Sequence, residues 1–223
     1  MKKYLNIVNK VHKSPYKLTI VSSGGGTNAI SALLEVPGAS NTILESHIPY
    51  SKESMNSFLN KKPDHYCSLD TCLNMAANAF KKSKQIDTTS KTKHLLGISI
   101  TANLATTYEK RGDHKFFIVV QAFDYTKYLE CYLEKGKRTR EEEEELITAC
   151  VISLLADSCG FEFSIPEIDE DISINKVTAE KSWVKLFNNK VGFISNNKSN
   201  PELIFPGSFN PLHEGHIKMK ELA

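Results

Sequence analysis

The chain has 223 residues, of which 40% are hydrophobic and 24% charged, a composition typical of a soluble globular protein with a sizeable core. Its formal net charge of +2 lacks the basic excess that nucleic-acid binding usually needs, so we expect no nucleic-acid partner. No stretch approaches the roughly 18 apolar residues of a membrane span, and no signal-peptide pattern follows the first lysines, which predicts a cytoplasmic protein with no membrane partner.

The cysteines are odd in number and form no CxxC pair, which argues against a zinc site or a redox pair. They lie in apolar segments of regular pattern, as expected for packed, reduced thiols: Cys67, Cys72, Cys131, Cys150 and Cys159. We expect no metal site from them.

The first part of the chain alternates helical and strand patterns. A short helix is predicted near Leu5–Lys13, and KLTIVS (Lys17–Ser22) is a compact β-branched run typical of a buried strand. Three glycines follow, and Thr27 and Asn28 are good N-cap residues for a helix over Ala29–Val36. Further helices are predicted at Ser51–Asn60 and Leu69–Lys84, and a strand at His94–Ile100.

The next segment predicts a hairpin followed by a long helix. FFIVVQAF (116–123) and KYLECYLEK (127–135) are strand patterns separated by a short turn. The acidic run Glu141–Glu145 is interpreted as a capped, solvated helix start, because Thr139 and Glu142 have capping-box spacing and Gly160 can end the helix.

These elements predict an α/β fold with a mixed sheet over residues 1–165. A connector follows over residues 166–200; it contains a segment that is hard to assign, the amphipathic SWVKLFNN and the linker SNNKSNP. A new unit is expected at 201–223.

The glycine-rich turn SSGGGTN after the first strand leaves three alternatives open. Its backbone N–H groups and the following helix N-terminus could bind an anion or a developing oxyanion. A serine at such a turn could be a nucleophile. The glycines could also simply form a tight turn.

The stretch KLTIVSSGGGTNAISALLEVPGAS…ESHIPYSKES resembles the CinA C-terminal family, the nicotinamide-nucleotide amidases, over roughly residues 10–160. The family pattern is a strand, E-S-C-T-G-G, a helix, V-P-G-A-S and a Y-S-N-E-x-K segment. The resemblance implies a three-layer α/β domain that forms homodimers, uses no cofactor and converts nicotinamide mononucleotide to nicotinic acid mononucleotide and ammonia.

Position by position, the resemblance places Ser23 on the nucleophile and Tyr50 on the family's tyrosine. It implies substrate contacts from the turn, from the third strand and from a G-D-R-like segment: Gly24, Gly25, Gly26, Thr27, Thr101 and Arg138. Met55 stands where the family has lysine, and a methionine cannot accept a proton from the nucleophile. The family's G-I-A-G-P loop is replaced by residues 102–106, and Lys137 stands in place of an aspartate.

The segment GSFNPLHEGH near the end of the printed sequence predicts a phosphate site. A strand at Leu203–Phe205, a turn and a helix over Leu212–Leu222 would place His213 and His216 on one helical face near the helix N-terminus. There the two imidazoles could stabilise charge in phosphoryl transfer.

The same segment resembles the signature G-x-F-[DN]-P-x-H-x-G-H of the nucleotidyltransferase superfamily, which includes cytidylyltransferases. The resemblance implies the first strand, loop and helix of a Rossmann-like domain, with Mg²⁺ as counter-ion and nucleotide contacts from Gly207, Ser208, Phe209, Asn210, His213 and His216. We expect this domain to be truncated at residue 223, because a βαβ unit needs its second strand to form a nucleotide pocket.

The two resemblances predict a protein of nucleotide metabolism and leave three possible roles open. The first domain is an amidase with Ser23 as nucleophile, or a catalytically inactive module that binds a nucleotide or dimerises. Alternatively, the activity belongs to a complete nucleotidyltransferase domain in a longer protein.

Overall fold

The structure is a computed structural model that describes residues 3–108, 111–195 and 213–222. It divides into two compact units, Met1–Glu180 and Lys181–Ala223. None of the helices within these described ranges is both long and apolar enough to cross a membrane.

The first unit is built on a six-stranded mixed sheet with strand order β2-β1-β3-β4-β5-β6 within the described residues. Strands β1, β2 and β3 are parallel to one another, and each of β4, β5 and β6 is antiparallel to its preceding neighbour. The strands are β1 Lys17–Ser23, β2 Ile43–His47, β3 Leu95–Asn103, β4 His114–Gln121, β5 Tyr125–Leu133 and β6 Ile172–Thr178.

Helices cover both faces of this sheet, which confirms the expected α/β arrangement in three layers. Helices α1, α2 and α5 share one large apolar cluster with the sheet, and α3 and α4 pack on the opposite face. The helices of the first unit are α1 Leu5–His12, α2 Thr27–Leu34, α3 Lys52–Leu59, α4 Leu69–Ile86 and α5 Arg140–Ser158. The second unit contains α6 Lys181–Phe187 and α7 Glu214–Leu222.

The capping box of α5 is confirmed: the Thr139 hydroxyl accepts from Glu142 N–H, and the Glu142 carboxylate accepts from Thr139 N–H at 2.8 Å. The predicted cap of α2 is wrong. That helix begins at Thr27, and its N-cap is Gly26, whose positive φ of 87° suits a residue without a Cβ.

Two strands were not predicted from the sequence, and both lie at the edges of the sheet. The outer strand β2 has only five residues, and β6 is exposed along almost its whole length. Because β6 pairs with β5, the sheet and the first compact unit continue beyond residue 165, as far as Glu180.

One end of the sheet collects most of the predicted site segments of the first unit. The carboxyl ends of the parallel strands β1, β2 and β3 lie there, and so does the end of β5, since Leu133 pairs with His114 at the start of β4. Helices α2 and α5 also begin next to this end. In folds of this kind, ligands bind outside the carboxyl ends of the parallel strands.

The five cysteines are free thiols. Burial raises the pKa of Cys72, Cys131, Cys150 and Cys159 to about 12, so these four thiols remain protonated at neutral pH.

Candidate functional site

Ser23, the predicted nucleophile, is the last residue of β1 and is half-buried at the carboxyl end of the parallel strands. Its hydroxyl donates to the carbonyl oxygen of Pro49 at 3.0 Å, in the loop that follows the parallel strand β2. Tyr50 is the next residue in that loop, and 71% of it is exposed to solvent. The structure therefore brings the Ser23 and Tyr50 segments together but directs the serine proton towards a backbone carbonyl.

Met55, which stands at the family's lysine position, and the nearby basic residues Lys52 and His47 all have other contacts. Met55 is 1% exposed and packs in the apolar cluster between α3 and α4. The Lys52 ammonium lies over the ring of Tyr66, 5.9 Å from its centroid, and the His47 imidazole is 3.1 Å from the Glu45 carboxylate. Among the described residues, the hydrogen-bond acceptor of the Ser23 hydroxyl is a carbonyl and not a base.

The glycine-rich turn is packed tightly against the end of β3. Gly24 has a φ of 80°, and a Cβ placed on it would lie 2.0 Å from the carbonyl oxygen of Ala102. A Cβ on Gly25 would lie 2.6 Å from a methyl group of Leu104. The glycines therefore allow close approach to the neighbouring strand of the same protein, which accounts for them without a ligand.

The N-terminus of α2 is occupied by a carboxylate from α5. The N–H of Gly26 donates to Glu144 Oε2 at 2.7 Å. A guanidinium nitrogen of Arg140 donates to the carbonyl oxygen of Gly24 at 3.0 Å and lies 3.9 Å from Glu144. A negative charge therefore already stands at the position where an anionic ligand of the turn would bind.

The interpretation of Glu141–Glu145 as a solvated helix start is wrong for Glu143 and Glu144. The Glu144 carboxylate caps α2, as described above. Glu143 is fully buried and accepts from the N–H of Ala105 at 2.6 Å. Its second oxygen lies 2.9 Å from Nδ1 of His114. The sequence does not reveal these contacts, because the helix dipole favours acidic residues in the first turn whichever side they face.

A cavity of about 750 Å³ adjoins these groups. It lies between the loop after β3, at the position of the family's G-I-A-G-P loop, and the segment that connects β5 to α5, which contains Arg138. Its described lining is Ala105, Thr106, Thr107, Tyr108, His114, Lys135, Gly136, Arg138, Thr139 and Arg140. Four basic side chains thus line a space large enough for a mononucleotide.

Arg138, a predicted substrate contact, is paired inside the protein. Both terminal nitrogens of its guanidinium donate to the Glu170 carboxylate, the second at 2.8 Å, and this hydrogen bonding lowers the pKa of Glu170 to about 2. The neighbouring Lys137 donates to Asp169 at 2.7 Å. Two acidic residues just before β6 therefore hold the segment between β5 and α5 in place.

Two predicted substrate contacts remain, Thr101 and Thr27. Thr101 pairs with Ser23 across β1 and β3, and it is 1% exposed. Its hydroxyl oxygen is buried and has no hydrogen-bond partner among the described residues. Thr27 is half-buried in the first turn of α2.

In the second unit, His213 and His216 lie together at the start of α7. Their rings are stacked with centroids 3.7 Å apart, and the backbone N–H of Gly215 donates to Nδ1 of His213 at 3.2 Å. The predicted nucleotide contacts Gly207, Ser208, Phe209 and Asn210, and the strand predicted at Leu203–Phe205, lie outside the described residues. The described part of the chain contains no cluster of three or more metal-ligating side chains.

No protein-family model matches the chain, and no curated protein matches it. Several solved structures are similar to it. A competence/damage-inducible protein from Agrobacterium tumefaciens is 15% identical, with a TM-score of 0.54 over 69% of this chain and 91% of that one. A competence or damage-inducible protein from Enterobacter asburiae is 16% identical, with a TM-score of 0.53 over 70% and 94%.

A CinA superfamily protein from Escherichia coli is 12% identical, with a TM-score of 0.52 over 70% of this chain and 88% of that one. These chains are covered almost completely, and the likeness is one of fold. We conclude that the chain contains a CinA-like α/β domain.

Proposed function

We propose that the first unit is a catalytically inactive nucleotide-binding module. Its ligand would be a pyridine mononucleotide such as nicotinamide mononucleotide, held in the 750 Å³ cavity next to β3 and α5. The ligand class follows from the sequence resemblance to nicotinamide-nucleotide amidases, and the CinA-like fold is consistent with it.

The observation that carries the proposal is the contrast between the glycine-rich turn and the cavity. The turn uses its groups internally, since Ser23 donates to Pro49 and Gly26 donates to Glu144. An alkoxide nucleophile needs a proton acceptor, and Met55 at the family's lysine position is an apolar core residue. The cavity, by contrast, is a space of suitable size beside loop backbone, and its lining includes His114 as well as the paired cationic side chains.

The test compares binding with turnover on the same protein. Calorimetry with nicotinamide mononucleotide should show saturable binding, and ammonia release by the wild-type protein should equal that of Ser23→Ala and of buffer. Ammonia release that Ser23→Ala abolishes would overturn the inactive assignment, and the absence of binding would overturn the ligand. The resemblance to the amidase family also leads us to propose a homodimer. Sedimentation of the protein would show whether it is one.

A second candidate concerns the second unit, and the pairing of His213 with His216 at the start of α7 favours it. We propose that this segment belongs to a nucleotidyltransferase site in which the imidazoles contact phosphate. Mg²⁺ prefers oxygen ligands, so it would be held by the nucleotide's phosphates and not by these nitrogens. The test measures nucleotidyl transfer by the longest chain that contains this segment. Transfer by the wild type that is lost in His216→Ala would support the proposal. Transfer by both proteins would contradict it.

A further inference from the structure

His114 and Glu143 form a carboxylate–histidine pair in the wall of the cavity. His114 begins β4, and its side chain is 8% exposed where it meets the cavity. Glu143 comes from the first turn of α5 and is fully buried. Neither residue was singled out by the sequence or by the resemblance.

The surroundings of Glu143 fix which ring nitrogen can face a ligand. One carboxylate oxygen accepts from the Ala105 N–H, and the other lies 2.9 Å from His114 Nδ1. An ionised carboxylate only accepts hydrogen bonds, so Nδ1 carries the proton of this contact. The nitrogen left for a ligand is Nε2. In a neutral ring Nε2 then carries no hydrogen, so it can donate to an anion only when the ring is protonated.

The cationic side chains of the cavity already have partners. Arg138 is paired with Glu170, and Arg140 donates to the carbonyl oxygens of Gly24 and Ala105. The Lys135 ammonium donates to the carbonyl oxygen of Arg111 at 3.3 Å. Among the described residues, the other charged and titratable groups that line the cavity or contact its lining are Glu143, Glu144, Arg138, Arg140, Lys135, Glu170 and Tyr108. A bound phosphate would thus gain a donor at His114 without breaking an ion pair.

We propose that His114 Nε2 donates a hydrogen bond to the phosphate of a bound mononucleotide and takes up a proton from solvent as the ligand binds. The phosphate dianion on one side and Glu143 on the other would then enclose an imidazolium, with one N–H directed at each anion. The proposal rests on the proposed function, since it names the group that recognises the ligand's phosphate monoester.

The experiment is calorimetry of the full chain with nicotinamide mononucleotide at pH 8.0, where a phosphate monoester is a dianion because its second pKa is about 6. Titrations in two buffers of different ionisation enthalpy give the protons taken up per ligand. Wild type should take up protons as it binds, at most one per ligand. His114→Gln should take up none and bind at least about tenfold more weakly, a charge-assisted hydrogen bond being worth 1.4 kcal/mol or more.

Matched variants separate the role of His114 from a structural effect. His94→Gln removes an imidazole that directly precedes β3, at the opposite end of the sheet from the cavity. This variant should bind like wild type. Glu143→Gln keeps the acceptor for Ala105 but offers an N–H to His114 Nδ1, so that a neutral ring would present Nε2–H. This variant should bind while taking up little or no proton, with unchanged far-UV circular dichroism as the check on folding.

Each outcome is decisive. Equal proton uptake by wild type and His114→Gln overturns the role of His114 while leaving the proposed binding intact. No binding by wild type overturns both proposals. Uptake that persists with nicotinamide riboside, which lacks the phosphate, overturns the assignment of His114 to the phosphate.

Discussion

Replacing Gly24 by alanine should destabilise the first unit far more than replacing Gly160. The two glycines have nearly the same positive φ, 80° and 82°, so both substitutions cost about 1–2 kcal/mol of left-handed backbone strain. A Cβ at Gly160 meets nothing within 4 Å, whereas a Cβ at Gly24 would lie 2.0 Å from the backbone oxygen of Ala102. Relief of that overlap requires one strand end to move by more than an ångström.

Such overpacking costs about 1–3 kcal/mol and occasionally more. We therefore expect Gly24→Ala to lose about 2 kcal/mol or more of unfolding free energy beyond the loss in Gly160→Ala. In urea denaturation followed by circular dichroism, this difference corresponds to a midpoint lower by roughly 1 M. Equal midpoints for the two variants would refute the close packing of the turn against β3.

Three further substitutions test other contacts of the first unit. Glu144→Ala removes the acceptor of the Gly26 N–H and should cost about 1–2 kcal/mol in urea denaturation; an unchanged midpoint would mean that the carboxylate does not cap α2. Hydrogen bonds, of which that from Lys17 is the strongest, hold the pKa of Asp87 far below its ordinary value. The stabilisation is therefore complete above about pH 4 and is lost as the pH falls further, and Asp87→Asn should flatten the stability–pH curve in that range. Met55→Lys puts a charge into an apolar cluster and should destabilise the protein without producing ammonia release from nicotinamide mononucleotide; release that depends on the new lysine would contradict this.

The order of the central elements could be predicted because their patterns are strong. KLTIVS and FFIVVQAF are buried β-branched or aromatic runs, and Thr139 with Glu142 has an unambiguous capping spacing. Strands β2 and β6 escaped prediction because edge strands need not bury a face. In β6, ISINKVT, the alternation of apolar and polar residues stops after four residues, and the strand is exposed along almost its whole length.

The candidate site was predictable only where a motif marks it. The positions of Ser23 and Arg138 could be identified from the sequence, but their partners Pro49 and Glu170 lie 26 and 32 residues away in irregular segments. The inward direction of Glu143 depends on how α5 packs against the loop after β3. Such contacts between distant segments leave no local periodicity in the sequence.

The central claim is that a mononucleotide binds next to β3 and α5 and not at the glycine-rich turn. A crystal structure of the full chain with nicotinamide mononucleotide measures this directly. Our account predicts that the phosphate lies within hydrogen-bonding distance of His114, with Glu144 still on the Gly26 N–H and Ser23 still on Pro49. A nucleotide whose amide contacts Ser23, with Glu144 displaced from Gly26, would contradict it.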